Sequence, residues 1–162
     1  MWYLASFLSD FRAANLALGR VASIEGNIDR VRKWNYAELE LSDGKLLGIY
    51  PRWWPRLASQ WESFQDGYIR NLPVDFCRVY YAFPRRAPGF MSVLYARSGP
   101  KTQYKTLYRA VVVMDEIARL RNTDAIVCQT ISPRASERLM NRWGYVRHAF
   151  AVGENHYIKR LR

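Results

Sequence analysis

Ala125-Ile126-Val127-Cys128, then Pro133 through Trp143, then Gly144-Tyr145, is the stretch that decides the fold. A half-exposed strand alternates, so an unbroken apolar run reads as a short strand covered on both faces. Pro133 suits the first turn of a short helix running to Trp143, and Gly144 suits its C-terminal stop. Beyond it, Val146 to Val152 and His156 to Leu161 read as a closing hairpin around Gly153-Glu154-Asn155.

Working back from this stretch, Leu107, Ala110, Val111, Met114, Ile117 and Ala118 recur at helical spacing. They predict a helix opened by Ser98-Gly99-Pro100 and running to about Arg121. Val74 to Phe83 and Phe90 to Arg97 read as antiparallel strands joined by Pro84-Arg85-Arg86-Ala87-Pro88-Gly89. Pro55 opens a helix with Leu57, Trp61, Phe64, Tyr68 and Leu72 inward, and Pro73 ends it. Tyr36 to Leu41 alternates, with Ala37, Leu39 and Leu41 on one face and Tyr36, Glu38 and Glu40 on the other. Asp43-Gly44 is a strong hairpin signal before Leu46-Leu47-Gly48-Ile49-Tyr50. Near the start, Ser9 or Asp10 can cap a helix carrying Phe11, Ala14, Leu18, Val21, Ile24, Ile28 and Val31, which Gly26-Asn27 can divide. The expected class is therefore α/β: a mixed, mainly antiparallel central sheet flanked by helices. One domain is expected over residues 1–162, with 1–34 a helical N-terminal addition.

The order from Val74 to Leu161 resembles the core of the GNAT superfamily of acetyl-CoA-dependent N-acyltransferases. That family ends its last core helix in the pattern Asn-x-x-Ala-x-x-Leu-Tyr-x-x-x-Gly-Phe. Leu139, Gly144 and Tyr145 match its Leu, Gly and Phe, while Pro133, Ser136 and Met140 stand at its Asn, Ala and Tyr. The resemblance implies a GNAT-like core over 74–161. It also implies transfer of an acyl group from acetyl-CoA, or another CoA-type thioester, to an amine. Backbone at the split of the sheet would hold the pantetheine.

This chain departs from the family at three points. The family's Tyr often protonates the departing thiolate, and a Met140 thioether has no proton to give. Tyr145 is the nearest replacement and the candidate catalytic residue for that role. The family's phosphate loop, Arg/Gln-x-x-Gly-x-Gly/Ala, should fall on Thr102-Gln103-Tyr104-Lys105-Thr106-Leu107, where Lys105 and Leu107 replace the glycines. A substitute cofactor cradle would be Arg97, Ser98, Gly99, Lys101, Thr102 and Gln103, with a glycine, hydroxyls and cations close to the expected helix start. The alternative is an ordinary capped helix start.

The chain carries 25 basic and 14 acidic side chains, a net charge of +11. Residues 97–162 hold 13 of the basic and 5 of the acidic residues, so most of the surplus lies there. Such a field attracts polyanions, whether cofactor phosphates, nucleic acid or an acidic protein. Arg134, Arg138 and Arg142 recur every four residues, and Arg147 can extend their stripe into an anion or nucleic-acid surface. A solvated helix face is the plainer reading. Trp53-Trp54 beside Arg52 and Arg56, and Tyr104 and Tyr108 among Lys105 and Arg109, are candidates for base stacking, although aromatics also fill cores. The Trp pair could equally sit at a membrane surface, as in a peripheral membrane or assembly protein.

Other chemistry is weakly represented. Two cysteines, Cys77 and Cys128, lie far apart in strand-like segments, so neither a disulfide framework nor a zinc site is indicated, and a reduced, cytoplasmic setting is expected. His148 and His156 can face each other across the last hairpin, but two histidines alone make a poor metal site, and no metal is expected. Glu38 and Glu40 could supply a base if their face lined a cleft, with a solvated hairpin edge the commoner case. The apolar Met1 to Leu8 is short and broken by Ser9-Asp10, so no signal peptide or membrane anchor is expected. A non-catalytic GNAT-like protein that binds nucleic acid or another anionic partner is the alternative to an active acyltransferase.

Overall fold

The computed structural model describes residues 19–52, 74–130, 135–148 and 155–162. Seven strands form one sheet in the order β2-β1-β3-β4-β5-β7-β6. They are β1 (Tyr36–Ser42), β2 (Lys45–Pro51), β3 (Phe76–Ala82), β4 (Phe90–Ser98), β5 (Ala125–Gln129), β6 (Val146–Arg147) and β7 (His156–Arg160). Every pairing is antiparallel except β4 with β5. The helices are α1 (Ile28–Lys33), α2 (Tyr104–Leu120) and α3 (Glu137–Arg142). This is the expected mixed, mainly antiparallel α/β architecture. From β3 onward the observed order is also the expected one.

Local chemistry explains several joints. Asp43 (φ 50°) and Gly44 (φ 74°) both take left-handed backbone, which lets the two-residue turn follow the twist of β1 and β2. At the end of α3, Gly144 has φ 84°. Its N–H donates to the Asn141 carbonyl, and the Tyr145 N–H donates to the Met140 carbonyl, both at 3.0 Å. This is a Schellman stop, and the apolar contact that accompanies it joins Met140 to Tyr145 in the core. The spacing of Met140, Gly144 and Tyr145 is thus explained by helix termination alone.

The core lies between α2 and one face of the sheet. Ala110, Val113, Met114 and Ile117 cluster with Leu39, Leu41, Ile49, Val79, Tyr81, Met91 and Ile126. The alternation read in β1 therefore places Ala37, Leu39 and Leu41 inward. Two reciprocal guanidinium contacts tie α1 to α2 at their C-terminal ends. Arg32 Nε donates to the Leu120 carbonyl at 3.1 Å, and Arg121 donates to the Arg32 carbonyl at 2.5 Å. Each arginine satisfies carbonyls that the other helix leaves unpaired.

Some expectations are corrected. The N-terminal helix does not run through to Val31. Val21 exchanges backbone hydrogen bonds with Ile49, 3.0 Å and 2.8 Å, and so covers the outer edge of β2. A short 3₁₀ turn, Glu25–Asn27, then leads into α1, where Ile28 is exposed rather than inward. The long helix begins at Tyr104, not at Ser98, and α3 begins at Glu137, where the Ser136 hydroxyl accepts from the Leu139 N–H at 3.3 Å. Pro133, Arg134, the Pro55–Leu72 helix, Trp53-Trp54 and the Ser9 or Asp10 cap lie outside the described residues. Among the described residues, no helix is long and apolar enough to cross a membrane.

Candidate functional site

One feature that could hold a ligand is a fork in the sheet. β4 and β5 pair only from Phe90↔Ala125 to Val93↔Cys128. Past that point β4 stays with β3 up to Cys77↔Ser98, while β5 stays with β7 up to Gln129↔His156. A bulge sits at the fork: Tyr81 faces Val93 and Tyr80 faces Tyr95, which leaves Leu94 as an extra residue. Bulges bend and twist a strand, and this one turns β4 away where β5 departs. Among the described residues, Leu94 to Ser98 have no strand partner on the β5 side. Strand backbone at such a parting can offer N–H and C=O groups to an extended, amide-bearing ligand.

The proposed phosphate cradle is arranged differently from a phosphate loop. Arg97 and Ser98 are the last residues of β4, opposite Arg78 and Cys77. Gly99 is buried, and its N–H donates to the Phe76 carbonyl at 3.1 Å. A Cβ there would stand 3.0 Å from the Val74 carbonyl oxygen, so this glycine serves the close approach of β3. Lys101 is exposed in the turn before α2, and the Thr102 hydroxyl donates to the Phe76 carbonyl at 2.7 Å. The Gln103 N–H, at the head of α2, donates to the buried Asp75 carboxylate at 3.1 Å. The other oxygen of Asp75 accepts from the Thr106 hydroxyl at 2.9 Å. A carboxylate therefore already stands at the positive end of α2, where a diphosphate was expected. A CoA-type cofactor would need to lay its amide-bearing arm along the strand backbone at the fork. Its diphosphate does not find a matching set of free amides at Ser98 to Gln103.

Tyr145 lies in the core at 2% exposure, beneath the Lys159 ammonium at 5.6 Å from its ring. Burial, together with the nearby Cys128 and Asp115, holds its phenol well above the ordinary tyrosine value. It keeps its proton, but at 2% exposure the residue offers little surface to a substrate. Met140 is likewise buried. Cys128 sits at the fork, and burial pushes its thiol up to about 12, so it is not a ready nucleophile. Cys77, also buried, is pushed up to about 12 by burial and by Asp75.

Glu38 and Glu40 do not form a solvated edge, because β1 is flanked by β2 and β3. Glu38 is 1% exposed and pairs with Arg78 at 2.8 Å and Arg52 at 2.5 Å. Arg78 also reaches Glu40 at 2.7 Å, and the Arg52 guanidinium lies 4.0 Å over the Tyr80 ring. With both its oxygens held by guanidiniums, Glu38 is a structural anion rather than a base.

Arg138 and Arg142 are exposed on α3, and Arg147 is exposed on β6; Arg134 lies outside the described residues. Arg142 lies 5.5 Å over the ring of Tyr104. Tyr104 stacks on Tyr108, and the Trp143 indole N–H donates to the Tyr104 hydroxyl at 3.2 Å. The sequence showed the Tyr104–Tyr108 pair, but Trp143 joins it only through the fold. The backbones of His148 and His156 do meet across the last hairpin, at 2.8 Å. Among the described residues, no group of three His, Cys, Asp or Glu side chains could hold a metal ion.

No protein-family model matches the chain, and no curated protein matches it. Among solved structures, it is similar to a crystal structure of nourseothricin acetyltransferase, with 10% identity over 88% of this chain and 98% of that one and a TM-score of 0.45. A likeness that loose carries no weight for the activity of this chain.

Proposed function

We propose that the chain is a divergent GNAT-like acyltransferase, directed at moving an acyl group from a CoA-type thioester to an amine, with weak or lost activity. The single observation that carries this reading is the bulged fork between β4 and β5, where the two strands part after Val93↔Cys128. A bound thioester would supply the activated acyl group. The chain's own part is to hold the amide-bearing arm along β4. Neither Met140, a thioether, nor the enclosed Tyr145 supplies an acid for a leaving thiolate, so any turnover would be slow.

The occupied start of α2 makes a specific forecast. If the diphosphate finds no amide cradle, acetyl-CoA and S-acetyl-pantetheine should bind with affinities within about threefold of each other, a difference of less than ~1 kcal/mol. Isothermal titration of both ligands reads this directly. Binding of neither ligand would contradict the reading. A preference for acetyl-CoA of about a hundredfold would instead show that Arg97 to Gln103 hold the phosphates.

A further inference from the structure

The exposed rings at the head of α2 are a built surface. Tyr104 and Tyr108 are 45% and 47% exposed, yet they lie nearly parallel, 10° apart, with centroids separated by 5.9 Å. They sit one helical turn apart, so α2 itself sets their spacing. Trp143, at the end of α3, lies 6.3 Å from Tyr104 and holds its hydroxyl through the indole N–H. The Arg142 guanidinium lies over the Tyr104 ring, 5.5 Å from its centroid. One position further along α2, Lys105 and Arg109 form a parallel, exposed cationic row. The first turn of α2 carries no acidic residue.

Rings left half in water contribute little to the core, and rings fixed by neighbours lose little entropy when a ligand stacks on them. Exposed rings with cations beside them match one chemistry in particular: unpaired bases with a phosphate backbone running alongside. A duplex hides its base faces, and an acidic protein offers charge without the flat faces. We propose that Tyr104, Tyr108 and Trp143, flanked by Lys105, Arg109 and Arg142, form a stacking platform for single-stranded nucleic acid. This surface is separate from the fork, and the proposal does not depend on acyl transfer.

The test is fluorescence anisotropy with a labelled oligouridine of about a dozen nucleotides at about 50 mM salt, long enough for a site of this type and at a salt where phosphate contacts count. Wild-type protein is expected to bind it. Tyr108→Ser should weaken binding about fivefold or more, while Tyr108→Phe, which keeps the ring, stays within about twofold. Tyr108 is exposed and stacks on Tyr104, outside the core cluster, so the fold should survive, which a thermal melt checks. Arg109→Gln should reduce the slope of log affinity against log salt by about one. The proposal is overturned if wild-type protein does not bind, if Tyr108→Ser binds as tightly as wild type, or if a duplex of equal length binds as well. Displacement of the oligonucleotide by equimolar adenosine 3′,5′-bisphosphate would also overturn it, because the platform would then belong to a cofactor's nucleotide half.

Discussion

Glu38→Ala should lower the unfolding free energy by about 3–5 kcal/mol, the usual consequence of removing one partner from a buried ion pair. Glu38 faces two guanidiniums, and the Arg52 and Arg78 side chains are themselves only 17% and 5% exposed. Alanine would remove the carboxylate that these two buried or part-buried cations share, while Arg78 keeps its contact with Glu40. Glu38→Gln keeps the shape and one acceptor oxygen, so a smaller cost of about 1–3 kcal/mol is expected. Urea unfolding followed by tryptophan fluorescence measures both, with an unchanged m-value as the sign that only stability has moved. A cost below ~1 kcal/mol for Glu38→Ala would mean that water reaches the network, as at an exposed pair.

Asp75→Ala should cost about 3 kcal/mol, since it removes two hydrogen bonds to a carboxylate and the negative charge at the head of α2. Its effect spreads because Asp75 joins three elements. Its carboxylate holds Gln103 and Thr106 of the α2 start, and its backbone carbonyl accepts from the Ser42 hydroxyl at 2.7 Å. Thr106, fully buried, in turn accepts from the Gly44 N–H of the β1–β2 turn at 2.7 Å. Loss of the carboxylate leaves the Thr106 hydroxyl without its acceptor in a dry site. Amide hydrogen exchange should therefore quicken at Gln103 to Thr106 and at Gly44, and slower exchange at the core of α2 should persist. Unchanged exchange at those amides would show that the carboxylate is not what fixes the helix start.

These two residues mark where the sequence could be read and where it could not. The Asp43-Gly44 turn and the Gly144 stop were legible because their signals are local: a left-handed backbone position names its own residue. The inward face of α2 was legible from its 3.6-residue period. The start of α2 was not, because its cap comes from Asp75, 28 residues earlier in the chain. The alternation of β1 showed that Glu38 and Glu40 share a face, but not that Arg52 and Arg78 meet them there. Val21 fits a helical period as well as a bridge to Ile49, and only the edge of β2 decides between them. The candidate site divides in the same way. A covered β5 strand could be read from Ala125 to Cys128, whereas the fork depends on which neighbour each strand keeps beyond Val93. Trp143 reaches Tyr104 across 39 positions, a contact that no spacing rule reveals.

The fork is the center of the functional reading, and amide chemical-shift mapping tests it most directly. Titration of S-acetyl-pantetheine into ¹⁵N-labelled protein should move the amides of Leu94 to Ser98 on β4 and of Val127 to Gln129 on β5 more than any others. Those two short segments flank the opening, and among the described residues the β4–β5 ladder does not extend past Val93↔Cys128. Saturating ligand that leaves both segments unmoved, or that moves a different face of the sheet, would contradict the assignment of a thioester site to this fold.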